Sequence, residues 1–519
     1  MTRRLVWVGL ALAACSKHAP PTAAVASATP VEASVAIDLD AQAAADRAKR
    51  IARARADLDA GAWTGPELYA TSIRTSVMNV PAWPPDADAG APSGDVYRLG
   101  YIRHGAHVPV FADRIVNEAC PEGWLELLEG GFVCGKYASL DPKDPAVKFA
   151  ANPPDLTAPM PYRYGLALVD NTPVYRRVLS LADRIKYEPW LAPHDDDAED
   201  AGADEPDDAG PKEIVKLHDL KGRGVLARKM MKGFCVAIDR DFKAAKARWW
   251  RTAEGFAIPY ERLMIQNWTP SFHGSWVMKS DDASDAGTME ESGAAALVRT
   301  AVAVRYREND KGKLAYYGAP LAKWTALELA GDPRTEGGVV YRGTTAGFFV
   351  RESDLLLATP APPGDLADGE KWIDVDLDKQ MLVAFEGKRP VYATRVSSGK
   401  SWSWDPDHNY ATPTGTFRIN AKHVSVTMDG DIAADGPYSI EDVPWVMYFQ
   451  GSYALHGAFW HNFFGTTRSH GCVNLSPTDA HELFFWTEPR LPRGWHGVFE
   501  TPDHPGTRVV IHQLPKPKK

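Results

Sequence analysis

Ser469-His470-Gly471-Cys472-Val473-Asn474, preceded by Leu455-His456-Gly457, is the stretch from which the rest of the chain is read. Both pieces lie within residues 445–486, which run from Trp445-Val446-Met447-Tyr448 to Leu483-Phe484-Phe485-Trp486. A thiolate attacks carbonyl carbon well and a neighbouring imidazole can take its proton, so Cys472 reads as a nucleophile. His456 and His470 are both candidate bases, and residue types alone do not choose between them. In extended chain His470 and Cys472 would point to one side. Gly471 would let the backbone turn and a substrate approach closely. Ser476 reads as an N-cap, Pro477 as the first helical position and Asp479 as a first-turn acid. Cys472 is therefore expected just before a helix N-terminus, whose partial positive charge favours thiolate and whose N–H groups could cradle an oxyanion. The bland alternative is a buried cysteine with incidental histidines.

The pattern of His456, a spacer and Ser-His-Gly-Cys-x-Asn resembles the signature of the L,D-transpeptidase catalytic domain family. Trp372-Ile373-Asp374-Val375-Asp376-Leu377, Val396-Ser397-Ser398-Gly399 and Thr412-Pro413-Thr414-Gly415-Thr416-Phe417 resemble the same family, so the likeness covers 370–512. It implies Cys472 as nucleophile and His456 as proton donor and acceptor, oriented by a backbone carbonyl beside it. His470 counts as catalytic-site lining. Asn474, Ser469, Gly471, Tyr438, Gly451 and Ser452 are implied substrate contacts. The family fold is a mainly β sandwich with a cradle over the cysteine, and the residues agree. Ile373, Val375 and Leu377 alternate with Asp374, Asp376 and Asp378, then come apolar runs at 381–385 and 391–396, as hairpin-connected strands would. Trp402 to His408 reads as an aromatic flap near the cleft or as core, and 427–437 as a loop belonging to a lid.

The resemblance implies two-step acyl transfer on cell-wall peptidoglycan. Cys472 attacks the third residue of a stem tetrapeptide, D-alanine leaves, and an acceptor resolves the thioester. A second stem peptide gives a cross-link, a lipoprotein lysine gives protein attachment, and water makes the enzyme an L,D-carboxypeptidase. It also implies acylation by carbapenems. No cofactor or metal is implied. Two other classes remain in view. One is a zinc hydrolase using His456, His461, His470 or Cys472; His481-Glu482 lacks the second histidine of a zincin helix. The other is a non-catalytic wall-binding lipoprotein.

Upstream, Met1-Thr2-Arg3-Arg4 and the apolar run 5–14 read as an export signal, too short to span a bilayer as a mature helix. Leu12-Ala13-Ala14-Cys15 resembles a bacterial lipobox, which implies lipidation of Cys15 and a periplasmic lipoprotein tethered to a membrane. The alternative is an ordinary signal with a chance cysteine. Residues 16–93 read as tether and linker, with a helix plausible between Leu39 and Leu58.

Three segments share an aromatic or apolar strand, a turn, Gly-Phe and a later leucine: Trp124 to Leu140, Trp250 to Leu263, and Tyr341 to Leu355. They mark three expected units at 94–142, 158–266 and 298–358, each resembling bacterial Src-homology-3-like barrels. The expected fold class is thus mainly β, an L,D-transpeptidase-type sandwich preceded by small barrels. Such modules either bind wall polymer or only space the catalytic domain. Residues 195–208 carry nine carboxylates and no lysine or arginine, against a net charge of −9 for the chain, so the acidity belongs to one solvated insert. That insert lacks the spacing of a calcium loop. Nothing is basic enough to suggest nucleic acid. Of the five cysteines, Cys120 and Cys134 could close a short loop in an oxidising compartment, and Cys235 reads as a buried apolar residue.

Overall fold

The computed structural model describes residues 46–84, 95–192, 215–267, 272–278, 291–400, 409–431 and 437–514. Cys15, the 195–208 insert, the stretch 402–408 and residues 432–436 of the expected lid lie outside them. A helix occupies 46–59 in a unit that ends at Thr64, and residues from Gly65 onward form a second unit described by itself.

The expected repeat takes one local form three times. Cys120–Leu127 pairs with Phe132–Cys134, Ala247–Thr252 with Ala257–Pro259, and Val339–Thr344 with Phe349–Arg351. A single 3-10 turn follows each hairpin: Gly135–Tyr137, Tyr260–Arg262 and Glu352–Asp354. Gly131, Gly255 and Gly347 sit at the same place in the three hairpin turns, with φ of +89°, +90° and +80°. Side chains with a Cβ rarely adopt that backbone, which explains why Gly-Phe recurs. Each hairpin closes over its own apolar core, built on Leu125 and Val133, on Trp250 and Ile258, and on Phe348 and Val350. Cys120 and Cys134 form a disulfide across the first hairpin.

The boundary expected at residue 94 cuts through a sheet. Arg74–Met78 pairs with Arg98–Arg103, and Glu67–Ala70 pairs with His107–Asn117. Likewise Glu291–Val298 pairs with both Ala326–Glu336 and Leu355–Leu357, so the third unit begins before 298. The upstream strands have no local signal because they are short and their partners lie about 20 residues or more away in sequence, beyond any local periodicity.

Residues 371–512 form two facing sheets. In the first, Arg389–Arg395, Met381–Glu386 and Lys371–Asp376 run antiparallel; Arg508–His512 then lies parallel to Lys371–Asp376, with Gly415–Arg418 at the far edge. The second contains Ala421–Gly430, Tyr438–Gln450, Tyr453–Gly457 and Val473–Leu475. Ile373, Val375 and Leu382 from one sheet meet Val424, Met447 and Leu455 from the other, with Leu483 and Phe484 of the helix Pro477–Trp486. Of the three aspartates in the alternation begun at Ile373, only Asp378 faces water. Asp374 and Asp376 are buried, because the outer face of the sheet is covered by Ala295 and Leu297 of the third unit. Ser275–Trp276, from the connection between the second and third units, adds a strand beside Arg389–Arg395.

The second sheet is also held from upstream. Gly497–Phe499 pairs with Arg98–Arg103, Cys235 bridges to Ile440, and Arg103 Nη2 donates to Asp442 Oδ2 at 2.9 Å.

Candidate active site

Backbone register brings the site residues together. Tyr453–Gly457 and Val473–Leu475 are parallel neighbours, with Leu455 opposite Val473 and His456 opposite Asn474. Side chains alternate along a strand, so Leu455, Val473 and Leu475 enter the core while His456 and Asn474 face the other way. Cys472 stands two residues before Asn474, outside the strand, and shares one cavity with His456. Together they line a cavity of about 460 Å³, shared with Tyr438, Ser452, Ser469 and His470. Gly451 is not among the lining residues; it makes the turn between Tyr438–Gln450 and Tyr453–Gly457 at φ +52°.

The two histidines differ in environment. His456 is buried, and its Nδ1–H donates to the Gly457 carbonyl at 3.3 Å. That bond leaves Nε2 as the lone-pair nitrogen. Burial pushes its pKa down to about 4, so the ring is neutral at physiological pH. His470 is exposed, stacked on Tyr438 at 5.3 Å and edge-on to Tyr410 at 4.7 Å. The fold therefore leaves His456 a buried neutral imidazole and makes His470 part of an aromatic wall.

Cys472 lies at the end of a bend, and residues 470–472 are not extended. Gly471 has φ +122°, and a Cβ there would stand 2.4 Å from the Tyr453 ring. Ser469 Oγ fastens this bend, donating to the Cys472 carbonyl and accepting from Gly471 N–H at 3.1 Å. Thr412 Oγ1 holds the Gly471 carbonyl at 2.8 Å and accepts from Gly399 N–H at 2.8 Å.

The expected influence of a helix end on the thiol is not realised. Ser476 does cap the helix, accepting from Asp479 N–H at 3.2 Å. The strand Val473–Leu475 intervenes, however, placing the first helical residue about 15 Å along the chain from Cys472. A helix end acts only over its last turn. The thiol instead donates to the Ser452 carbonyl at 3.7 Å, and burial pushes its pKa up to about 11 against the pull of the Ala454 amide. Thiol and imidazole thus both rest neutral. Between about 4 and 11 the fraction present as thiolate and imidazolium does not change with pH. The rate of Cys472 acylation, followed by mass spectrometry, is expected to be flat from pH 6 to 9 with its acid limb near 4–5. A limb near 6.5 would reveal an ordinary imidazole in its place.

From sequence, His461 is a candidate only as a metal ligand. In the structure its Nε2 lies 3.0 Å from Asn474 Nδ2 and orients that amide, while Asn474 Oδ1 is buried without a protein partner. Trp460 stacks on His456 at 5.7 Å. Neither contact has a local signal, because both depend on the loop 458–472 folding back over the strand it leaves. His456, His461, His470 and Cys472 do not converge as a three-ligand set. Among the described residues only Cys120, Glu122 and Cys134 do, and there the cysteines are joined to each other.

Residues 370–511 match the YkuD L,D-transpeptidase catalytic domain. The Bacillus subtilis protein YciB, named provisionally as an L,D-transpeptidase, is 27% identical over 144 residues, covering 25% of this chain and 64% of that one. Solved structures similar to this chain include an Enterococcus faecium L,D-transpeptidase, 23% identical over 30% of this chain and 55% of that one, TM-score 0.22. Another is the Xylanimonas cellulosilytica L,D-transpeptidase, 26% identical over 30% of this chain and 65% of that one, TM-score 0.20. The chain thus spans less than two thirds of the length of each of these proteins.

Proposed function

We propose that this protein is a peptidoglycan L,D-transpeptidase acting through a thioester at Cys472. The observation that carries the reading is one cavity lined both by Cys472 and by a carbonyl-oriented, neutral His456. In the first step the thiol proton passes to His456 Nε2 and sulfur bonds to the carbonyl carbon of the third stem residue. The bond to D-alanine breaks, and His456 returns the proton to the departing amine. An acceptor amine then attacks the thioester, its proton passes through His456, and the thiol is restored. Asn474, Ser469, Gly471, Tyr438 and Ser452 contact substrate. The acceptor is a second stem peptide, giving a cross-link, or a lipoprotein lysine; water would give the carboxypeptidase product. The protein works outside the cytoplasm, anchored in a membrane by lipid on Cys15, with its upstream units resembling Src-homology-3-like barrels.

The test is incubation of the purified protein with a stem tetrapeptide muropeptide, followed by mass spectrometry. A cross-linked dimer lacking one D-alanine is expected; a trimmed tripeptide would assign carboxypeptidase activity instead. Unaltered tetrapeptide, together with no carbapenem adduct on Cys472, would overturn the reading.

A further inference from the structure

A second cavity, of about 350 Å³, lies in the second unit, away from Cys472. Lys148, Arg176, Arg177, Arg240 and Arg251 line it with Phe149, Phe242 and Phe256, and none of its lining residues is acidic. Arg251, buried at its floor, is fixed by Asp239 Oδ2 at 2.8 Å and the Ala150 carbonyl at 3.1 Å. Arg240 shares that one carboxylate, also at 2.8 Å. Arg176 is held over the Phe256 ring, 5.9 Å from its centroid. Among the described residues, Lys148, Arg176 and Arg177 have no ion pair. Five cations balanced by one carboxylate, in a concave site walled with aromatic rings, suit an organic anion better than bare solvent.

The groove is tied to the active cavity by a single strand. Cys235–Ala244 bridges at Cys235 to Ile440, which lines the active cavity, and carries Arg240 and Phe242 into the groove. Five residues of strand separate Cys235 from Arg240, about 17 Å.

We propose that this groove is a second binding site for carboxylate groups on the peptide polymer whose stem acylates Cys472. This rests on the function proposed above. Its consequence is that polymer engaged at the groove raises the local concentration of stems at the active cavity. A free tetrapeptide, at most about 14 Å when extended, is too short to span both sites.

Lys148→Glu/Arg177→Glu is the informative variant, since both side chains are exposed and make no described bond whose loss would disturb folding. In a Cys472→Ala background, equilibrium binding of the full chain to insoluble purified peptidoglycan is measured at low and moderate salt. The variant should bind about 10-fold more weakly with a shallower salt dependence. Amidating the polymer's carboxyls should weaken wild-type binding to the same degree. With Cys472 intact, turnover of the free tetrapeptide should be equal in the two proteins. Unchanged affinity for the polymer would overturn the proposal, as would a loss confined to anionic lipid vesicles or polyphosphate. If neither protein processes the tetrapeptide while polymer binding still falls, the assigned reaction fails and the groove stands.

Discussion

Cys472→Ala is expected to abolish acyl transfer, with turnover falling at least about 10³-fold and in practice to background. Ser469 Oγ is engaged with the Cys472 carbonyl and Gly471 N–H, so its hydroxyl is tied into the bend. Ser452 presents its carbonyl, as acceptor of the thiol hydrogen. Alanine removes only one weak hydrogen bond, so stability should change by less than about 1 kcal/mol. The loss must therefore appear in turnover with an unchanged unfolding midpoint. The direct measurement is intact-protein mass after exposure to muropeptide or carbapenem: wild type should gain one acyl group and the variant none. A variant that still gained mass would move the nucleophile elsewhere.

The second large effect is on stability, and it belongs to Asp479. This fully buried carboxylate accepts from Gly274 N–H at 2.7 Å, Tyr392 Oη at 2.6 Å, Thr394 Oγ1 at 2.7 Å and Ser476 Oγ at 2.7 Å. Burial pushes its pKa up and the four donors pull it back, with burial the larger influence. Asp479→Ala would leave those donors buried with no acceptor, each at about 1–3 kcal/mol if nothing relaxed. Partial relaxation and release of a desolvated charge bring the expected loss to about 3–5 kcal/mol, read as a fall in the denaturation midpoint. Asp479→Asn, which keeps one acceptor oxygen, should lose less. The damage should also reach the active site. Thr394 lies three residues before Ser397, whose N–H donates to the Asn474 carbonyl at 2.9 Å. A loss under about 1 kcal/mol for the alanine variant would show that the hub is not holding helix, sheet and connection together.

Much of this was legible locally. The Ser-x-x-Asp spacing and Pro477 predict the helix start, and Ser476 caps it there. Alternation marks the strand at 371–376 and an apolar run the one at 381–386, and the recurring Gly-Phe marks three hairpin turns. The candidate for the reactive sulfur is legible too, because no other cysteine lies near histidine, glycine and amide neighbours together.

What the sequence by itself determined is chemistry and short-range form: a thiol beside imidazoles, a capped helix, paired strands. These follow from side-chain type and from backbone preferences acting over a few residues. Tertiary structure decided how the two imidazoles differ, since His456 is buried through a parallel pairing with residues 473–475 while His470 stays exposed. It also decided that His461 orients Asn474, that a strand separates Cys472 from the helix end, and that Asp374, Asp376 and Asp479 lie buried. Pairing partners, burial and the resulting pKa shifts depend on what folds against a residue, and that neighbour is contributed by chain far away in sequence.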